Sequence, residues 1–98
     1  MTTHAVEYLA RGRVDREGRL VEAGEPLASL QLACGGTLGG PLAIPELRAI
    51  AIKSRDLGLR LSRPFAALGH DERVTGWVDA VPSEGGCELA VASWHAEP

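Results

Sequence analysis

The sequence predicts an α+β fold, in which one antiparallel sheet of five strands is covered on one face by helices in the element order ββααβββ. Apolar residues alternate at a period of two near both ends of the chain, which is typical of strands. A segment with helical spacing and well-marked ends lies between them. The 98 residues are enough for one domain with one core and too few for two. In this arrangement connections stay short and each strand buries one apolar row under the helices.

The first two strands are predicted to form a hairpin. Residues 5–14 alternate between two faces, and residues 19–23 supply the partner strand. Asp15 suits the first position of the intervening turn, and Gly18 tolerates a positive φ.

Two helices follow the hairpin. Pro26 preorganises the first position of a short helix that Gly35 can end. Pro45 does the same for a longer helix over residues 45–57, where Gly58 can take the left-handed terminating conformation. At helical spacing the apolar face of the longer helix comprises Ile44, Leu47, Ile50, Ala51, Ser54, Leu57 and Gly58.

After the longer helix the period is two, which predicts a meander of three strands over residues 59–68, 74–81 and 87–94. Pro64 cannot donate a ladder hydrogen bond, so we expect its strand to lie at a sheet edge or to carry a bulge. Arg63, in an otherwise apolar row, favours the bulge.

The composition argues against several classes of partner. Hydrophobic residues at 45% and charged residues at 23% are ordinary globular values, and the net charge of −3 offers no basic surface for nucleic acid. No apolar run reaches membrane-spanning length, and the first residues lack the basic start and hydrophobic stretch of a signal peptide. We therefore expect a cytoplasmic domain that contacts neither nucleic acid nor membrane.

No pattern of residues points to catalysis or to a metal site. His4, His70 and His95 have no acidic or thiol partner at catalytic spacing. Cys34 and Cys87 lack metal-ligand spacing, and we interpret both as small buried hydrophobic residues. We expect no catalytic residues and no metal.

The element order and two short motifs resemble a PAS domain. Residues 14–21, Val-Asp-Arg-Glu-Gly-Arg-Leu-Val, resemble the family's entry into its second strand, and residues 37–42, Thr-Leu-Gly-Gly-Pro-Leu, resemble its turn into the long helix. The resemblance extends over nearly the whole chain. It departs at residues 22–24, where the family often has an Asn, and at residues 95–98, where the family often has an Asp-x-Thr segment.

The resemblance implies a sensory module of a bacterial sensor histidine kinase, acting in two-component signal transduction by binding a small ligand or by mediating dimerisation. Residues 1–98 would be a single domain of a longer signalling protein, with a kinase or other output domain beyond Pro98 and no enzyme activity of its own. The alternative is a purely structural dimerisation domain without a sensory ligand, either a PAS domain or a profilin- or roadblock-like fold.

The resemblance also bears on cofactors. Haem-binding members carry an axial His on or beside the long helix, and residues 45–57 contain none. Photoactive flavin members carry a Cys within Asn-Cys-Arg-Phe-Leu-Gln, whereas Cys34 lies in Leu-Ala-Cys-Gly-Gly. We expect neither haem nor flavin.

A small-molecule pocket between the longer helix and the sheet is one hypothesis. Arg63 would supply a charge for an acidic ligand, and Ser54 would point into the cavity unless it donates back to the Ile50 carbonyl. The alternative is that the lining side chains fill the core and Arg63 points to water. The candidate lining is Leu47, Ile50, Ser54, Arg63, Phe65 and Val78.

The second hypothesis concerns the sheet face away from the helices, which we call the outer face. Alternation places Trp77 and Trp94 there, together with Val81, Ala90 and Ala92. An uncovered apolar and aromatic face marks a partner surface, and the resembled family commonly dimerises through it. We expect a homodimer; the alternative is that a preceding helix or the N-terminal residues cover this face within one chain.

Overall fold

A computed structural model of the chain describes residues 10–69 and 71–98, and it has the predicted order of elements. Residues 5–9 of the predicted first strand and His70 lie outside the described residues. None of the described helices is long and apolar enough to cross a membrane. The elements are β1 (Ala10–Asp15), β2 (Leu20–Ala23), α1 (Leu27–Ala33), α2 (Pro45–Leu57), β3 (Leu61–Leu68), β4 (Arg73–Ser83) and β5 (Gly86–Glu97).

The five strands form one antiparallel sheet in the order β2-β1-β5-β4-β3. The first strand therefore pairs with the last, with partners running from Ala10 and Val91 to Asp15 and Gly86. This pairing makes β5 the middle strand of the sheet.

Both helices pack on the same face of the sheet. α1 lies against β1 at Gly12, where an added Cβ would approach a methyl group of Leu27 to 2.8 Å. α2 contacts the other half of the sheet, and its Leu47 and Ala51 are buried in the same core as α1. The absence of a side chain at Gly12 thus leaves room for Leu27 of α1 against β1.

The ends of α2 follow the predicted signals. Pro45 begins the helix, and Gly58 ends it in the left-handed conformation at φ 65°. Leu57, predicted to face the core, is instead 54% exposed because the helix ends there and the chain turns towards β3.

The connection between the helices is organised by a fully buried side chain, Gln31. Its amide nitrogen donates to the carbonyls of Thr37 and Pro41 at 3.1 and 2.8 Å, and its amide oxygen accepts from the backbone of Ala43 at 2.9 Å. A Cβ at Gly36 would lie 2.6 Å from the Gln31 side chain, so only glycine fits there. One amide therefore satisfies three backbone groups of an irregular loop.

The outer edge of β2 is paired with this same loop. The Leu20 amide donates to the Gly40 carbonyl at 2.9 Å, and the Leu20 carbonyl accepts from Gly39 at 2.8 Å. The Leu42 amide donates to Gly18 at 2.9 Å. The loop thus occupies backbone groups that an edge strand would otherwise offer to another chain.

β3 forms the opposite edge, as Pro64 predicted. Pro64 has no amide proton, the Ala66 amide donates to the Glu46 carboxylate at 3.2 Å, and the Leu68 carbonyl accepts from the Cys34 thiol at 3.5 Å. These groups bond outside the ladder, so they lie along the free edge. This edge is also protected from pairing.

The predicted bulge at Arg63 was wrong. β3 pairs with β4 without a shift of register, and Arg63 stands opposite Val78 with an exposed side chain. Because β3 is an edge strand, the long side chain reaches water from the helix-facing row without distorting the ladder.

The register shifts lie elsewhere: Val21 is the extra residue of β2 between the pairs Arg13–Glu22 and Val14–Leu20, and a bulge lies in β5. Ser93 and Trp94 together stand opposite Gly76, and Ser93 has a φ of 54°, which is uncommon for a residue other than glycine. One extra residue reverses the alternation beyond it. The regular pairs on either side are Thr75 with His95 and Trp77 with Ala92.

We predict that Gln31→Leu lowers the free energy of unfolding by about 3 kcal/mol, because it leaves the three backbone groups of the loop that face the buried Gln31 amide without their partner. Denaturant unfolding followed by circular dichroism measures the change. The control is Leu32→Gln on the exposed side of α1, expected to change stability by less than about 0.5 kcal/mol. Equal stability of the two variants would contradict the role of Gln31.

Candidate functional site

The helix side of the sheet, where a ligand pocket was one hypothesis, is filled by packed side chains. Leu47 and Val78 are fully buried, and Phe65 is buried beside them in one core cluster. Ser54 is also fully buried. Four of the six candidate lining residues are therefore part of the packed core.

Ser54 does not use either of its two predicted arrangements. Its hydroxyl lies 2.6 Å from the carbonyl oxygen of Leu59 and 3.3 Å from that of Ala80. It therefore ties the end of α2 to β4 rather than bonding back to Ile50. This contact could not be predicted because it depends on the position of β4 under the helix.

Of the other two candidates, Ile50 is half-buried against the edge of that core and Arg63 is exposed. They line an open groove of about 330 Å³ between α2 and the β3 edge, together with Lys53. Arg63 donates to the carbonyl oxygen of Ser62 at 3.0 Å. The six residues thus do not form one site.

A larger open groove of about 490 Å³ lies at the other end of β3, between the end of α1 and the start of α2. Cys34, Glu46 and Arg73 are among its lining residues. Burial raises the pKa of the Cys34 thiol, and burial likewise raises the pKa of Cys87, although a hydrogen bond with Ser54 acts in the opposite direction. Neither thiol is therefore activated as a nucleophile.

The outer face brings together most of the residues predicted for it. Trp77 stands opposite Ala92, and Val81 lies four residues further along β4 on the same face. Trp77 is 40% exposed and Val81 39% exposed, whereas Ala90 and Ala92 are buried between their neighbours. Four of the five predicted residues share this face.

Trp94 is the exception, and its predicted placement was wrong. The bulge turns it to the helix side, where it packs against Phe65 with ring centroids 6.1 Å apart and planes at 62°. The Phe65 ring also lies over Gly76, where an added Cβ would come within 2.8 Å of the ring. Trp94 is therefore a half-buried extension of the core.

Sequence analysis missed a buried carboxylate at the centre of the outer face. Asp79 is only 6% exposed and lies between Trp77 and Val81 on β4. It accepts from the Ser62 hydroxyl at 2.5 Å and from the Arg60 guanidinium at 3.0 Å. A single acidic residue in an alternating strand carries no signal of such pairing, which depends on the register of β3 against β4.

Charged side chains cross the outer face beside Asp79. Arg13 on β1 forms an ion pair with Glu22 on β2 at 3.1 Å, and Arg13 also stands opposite Glu88 on β5. Glu88 in turn stands opposite Val81. The face therefore has an apolar part around Trp77 and a charged part at one end.

Within residues 10–69 and 71–98, no group of three or more His, Cys, Asp or Glu side chains is placed to hold a metal ion. Comparison with protein-family models, curated proteins and solved structures finds no match to this chain. The described residues leave Trp77 and Val81 exposed on the outer face and form two open grooves beside β3.

We predict that Trp94→Ala lowers the free energy of unfolding of the monomer by about 2 kcal/mol, because it removes the contact with Phe65. Trp77→Ala is the matched control; we expect a change below about 1 kcal/mol, since this ring is more exposed. Denaturant unfolding at low protein concentration measures both. A larger loss for Trp77→Ala would contradict the assignment of the two rings to opposite faces.

Proposed function

We propose that this chain is a PAS-like module of a bacterial signalling protein that acts by self-association through the outer face of its sheet. It would belong to a cytoplasmic sensor histidine kinase, with its output domain elsewhere in the full protein. The observation that carries the proposal is an exposed tryptophan, Trp77, on a sheet face where the neighbouring part of the central strand presents the small side chains of Ala90 and Ala92. Exposed aromatic residues are enriched at the centres of protein interfaces.

The protected edges favour this mode of association over strand addition. The edge of β2 bonds to the loop through Leu20, and the edge of β3 is protected by Pro64 and by the bond from Ala66 to Glu46. Edge-to-edge pairing needs free backbone groups in a row, which both edges lack at these positions. The outer face is therefore the remaining surface of the sheet that has exposed apolar side chains.

The size of the sheet is compatible with a specific dimer. Five strands span roughly 19 Å across, and the 11 residues of β4 span roughly 36 Å along the strand. The outer face is thus on the order of 700 Å², close to the roughly 800 Å² per partner that a stable interface requires.

The ligand-binding version of the hypothesis has weaker support. Leu47, Ser54, Phe65 and Val78 are packed together, so a ligand between α2 and the sheet would have to displace core side chains. We therefore propose that dimerisation, and not a buried ligand, is the primary role of this domain.

We predict that the purified protein releases no small molecule at a stoichiometric amount when it is denatured and its extract is analysed by mass spectrometry. The physical reason is that the candidate lining residues already fill the space between α2 and the sheet. Recovery of one ligand per chain would contradict the filled core and favour the sensory alternative.

We predict that Trp77→Glu weakens self-association at least about thirtyfold, because it places a charge at the apolar centre of the interface. Sedimentation velocity over a range of concentrations measures the dissociation constant. Leu57→Glu is the control, since this exposed leucine lies at the end of α2 on the helix side. A monomeric wild-type protein, or equal dissociation constants for wild type and Trp77→Glu, would contradict the proposed function.

A further inference from the structure

The outer face is electrostatically asymmetric from one side of the sheet to the other. On β1 the outer-face side chains include Arg11 and Arg13, which stand opposite Ala90 and Glu88 of β5. On β4, at the same distance on the other side of β5, Asp79 lies at the level of Ala90. Cations therefore lie on one side of the central strand, and a carboxylate lies on the other.

The two edges of the sheet also carry opposite charges, but with the signs exchanged: the acidic residue lies on the β2 side and the basic residue on the β3 side. Glu22 lies on β2, beyond Arg13. Arg60 immediately precedes β3 and donates to Asp79. Going outward from β5, the face reads positive then negative on one side, and negative then positive on the other.

From this pattern we infer how two copies dock: with a two-fold axis parallel to β5, so that the β2 side of one copy covers the β3 side of the other. This inference rests on the proposed function. The rotation places Arg11 over the partner's Asp79 and Glu22 over the partner's Arg60. Opposite charges then meet at these two pairs of positions, while Arg13 lies over the partner's Val81, and Glu88 on the axis faces its own copy with an Arg13 from each chain beside it.

The small side chains on β5 fit the same axis. Ala90 and Ala92 would face their own copies at the centre, where the two sheets approach most closely. Trp77 would lie beside the Ala10 end of the partner's β1, within diagonal reach of Arg11, and guanidinium groups stack well on aromatic rings.

The other simple two-fold arrangement brings like charges together. An axis in the plane of the sheet and perpendicular to the strands would place each strand on the same strand of its partner. Arg11 and Arg13 would then face the two arginines of the other β1, and Asp79 would face the other β4 near its own copy. The charge pattern therefore selects the axis parallel to β5.

Charge reversal in two separate chains tests this orientation. In Glu22→Arg and in Arg60→Glu, each homodimer places like charges together twice, and we expect each dissociation constant to rise about tenfold or more. In a one-to-one mixture the heterodimer has opposite charges at both contacts. We expect the mixture to regain near wild-type association and native mass spectrometry to show heterodimer above its statistical proportion.

Glu17→Arg and Arg48→Glu serve as matched controls. Glu17 lies in the exposed hairpin turn and Arg48 on an exposed side of α2, so both make the same charge changes away from the outer face. Their homodimers should associate as wild type, and their mixture should give the statistical proportion of heterodimer.

Arg60→Glu also places an acid beside Asp79, so a second test avoids that contact. A double-mutant cycle with Glu22→Ala and Arg60→Ala should show non-additive losses of association. Additive losses, together with no preference for the heterodimer, would overturn the orientation while leaving the proposed function intact if Trp77→Glu still disrupts the dimer. Absence of any effect of Trp77→Glu would overturn both.

Discussion

The pairing of β1 with β5 is the constraint on which the rest of the structure depends. It joins the two ends of the described chain, from Ala10 beside Val91 to Asp15 beside Gly86, and closing so long a loop costs entropy that local contacts do not offset. The compensation comes from the apolar rows of both strands, which are buried with residues of α1 and α2 in one cluster. Because β5 becomes the middle strand, its small outward side chains come to occupy the centre of the outer face.

Local periodicity predicted the elements well and their long-range relations less well. The order ββααβββ and both ends of α2 followed from spacing, proline and glycine signals, whereas Pro64 left an edge position or a bulge for β3, and the structure has the edge without the bulge. Alternation also placed Trp77 correctly, but it failed for Trp94, because a single extra residue at Ser93 reverses every side chain beyond it. Ser93 is not a glycine, so nothing in the local pattern marks its positive φ.

The polar contacts could not be predicted for a related reason. Gln31 lies on a short helix, and its partners are backbone groups of a loop that it helps to fold. Ser54 and Asp79 bond across elements that are far apart in sequence, so their partners exist only once the register of the sheet is set. Periodicity identifies which side chains are buried; it does not identify which polar ones are satisfied, or by what.

In the proposed dimer, the ion pair of Asp79 and Arg60 would favour one docking orientation of the outer face while limiting its exposed apolar area. A buried carboxylate is costly unless it is paired, and an apolar residue between Trp77 and Val81 would give a larger hydrophobic patch. Such a patch would associate in many orientations. The Asp79–Arg60 ion pair instead disfavours docking orientations that leave one of its charges without an opposite charge. The loop protects the β2 edge of the sheet, and Glu46 protects the β3 edge. In the proposed dimer, the charge pattern on the outer face is then the feature that distinguishes one orientation of a second copy from another.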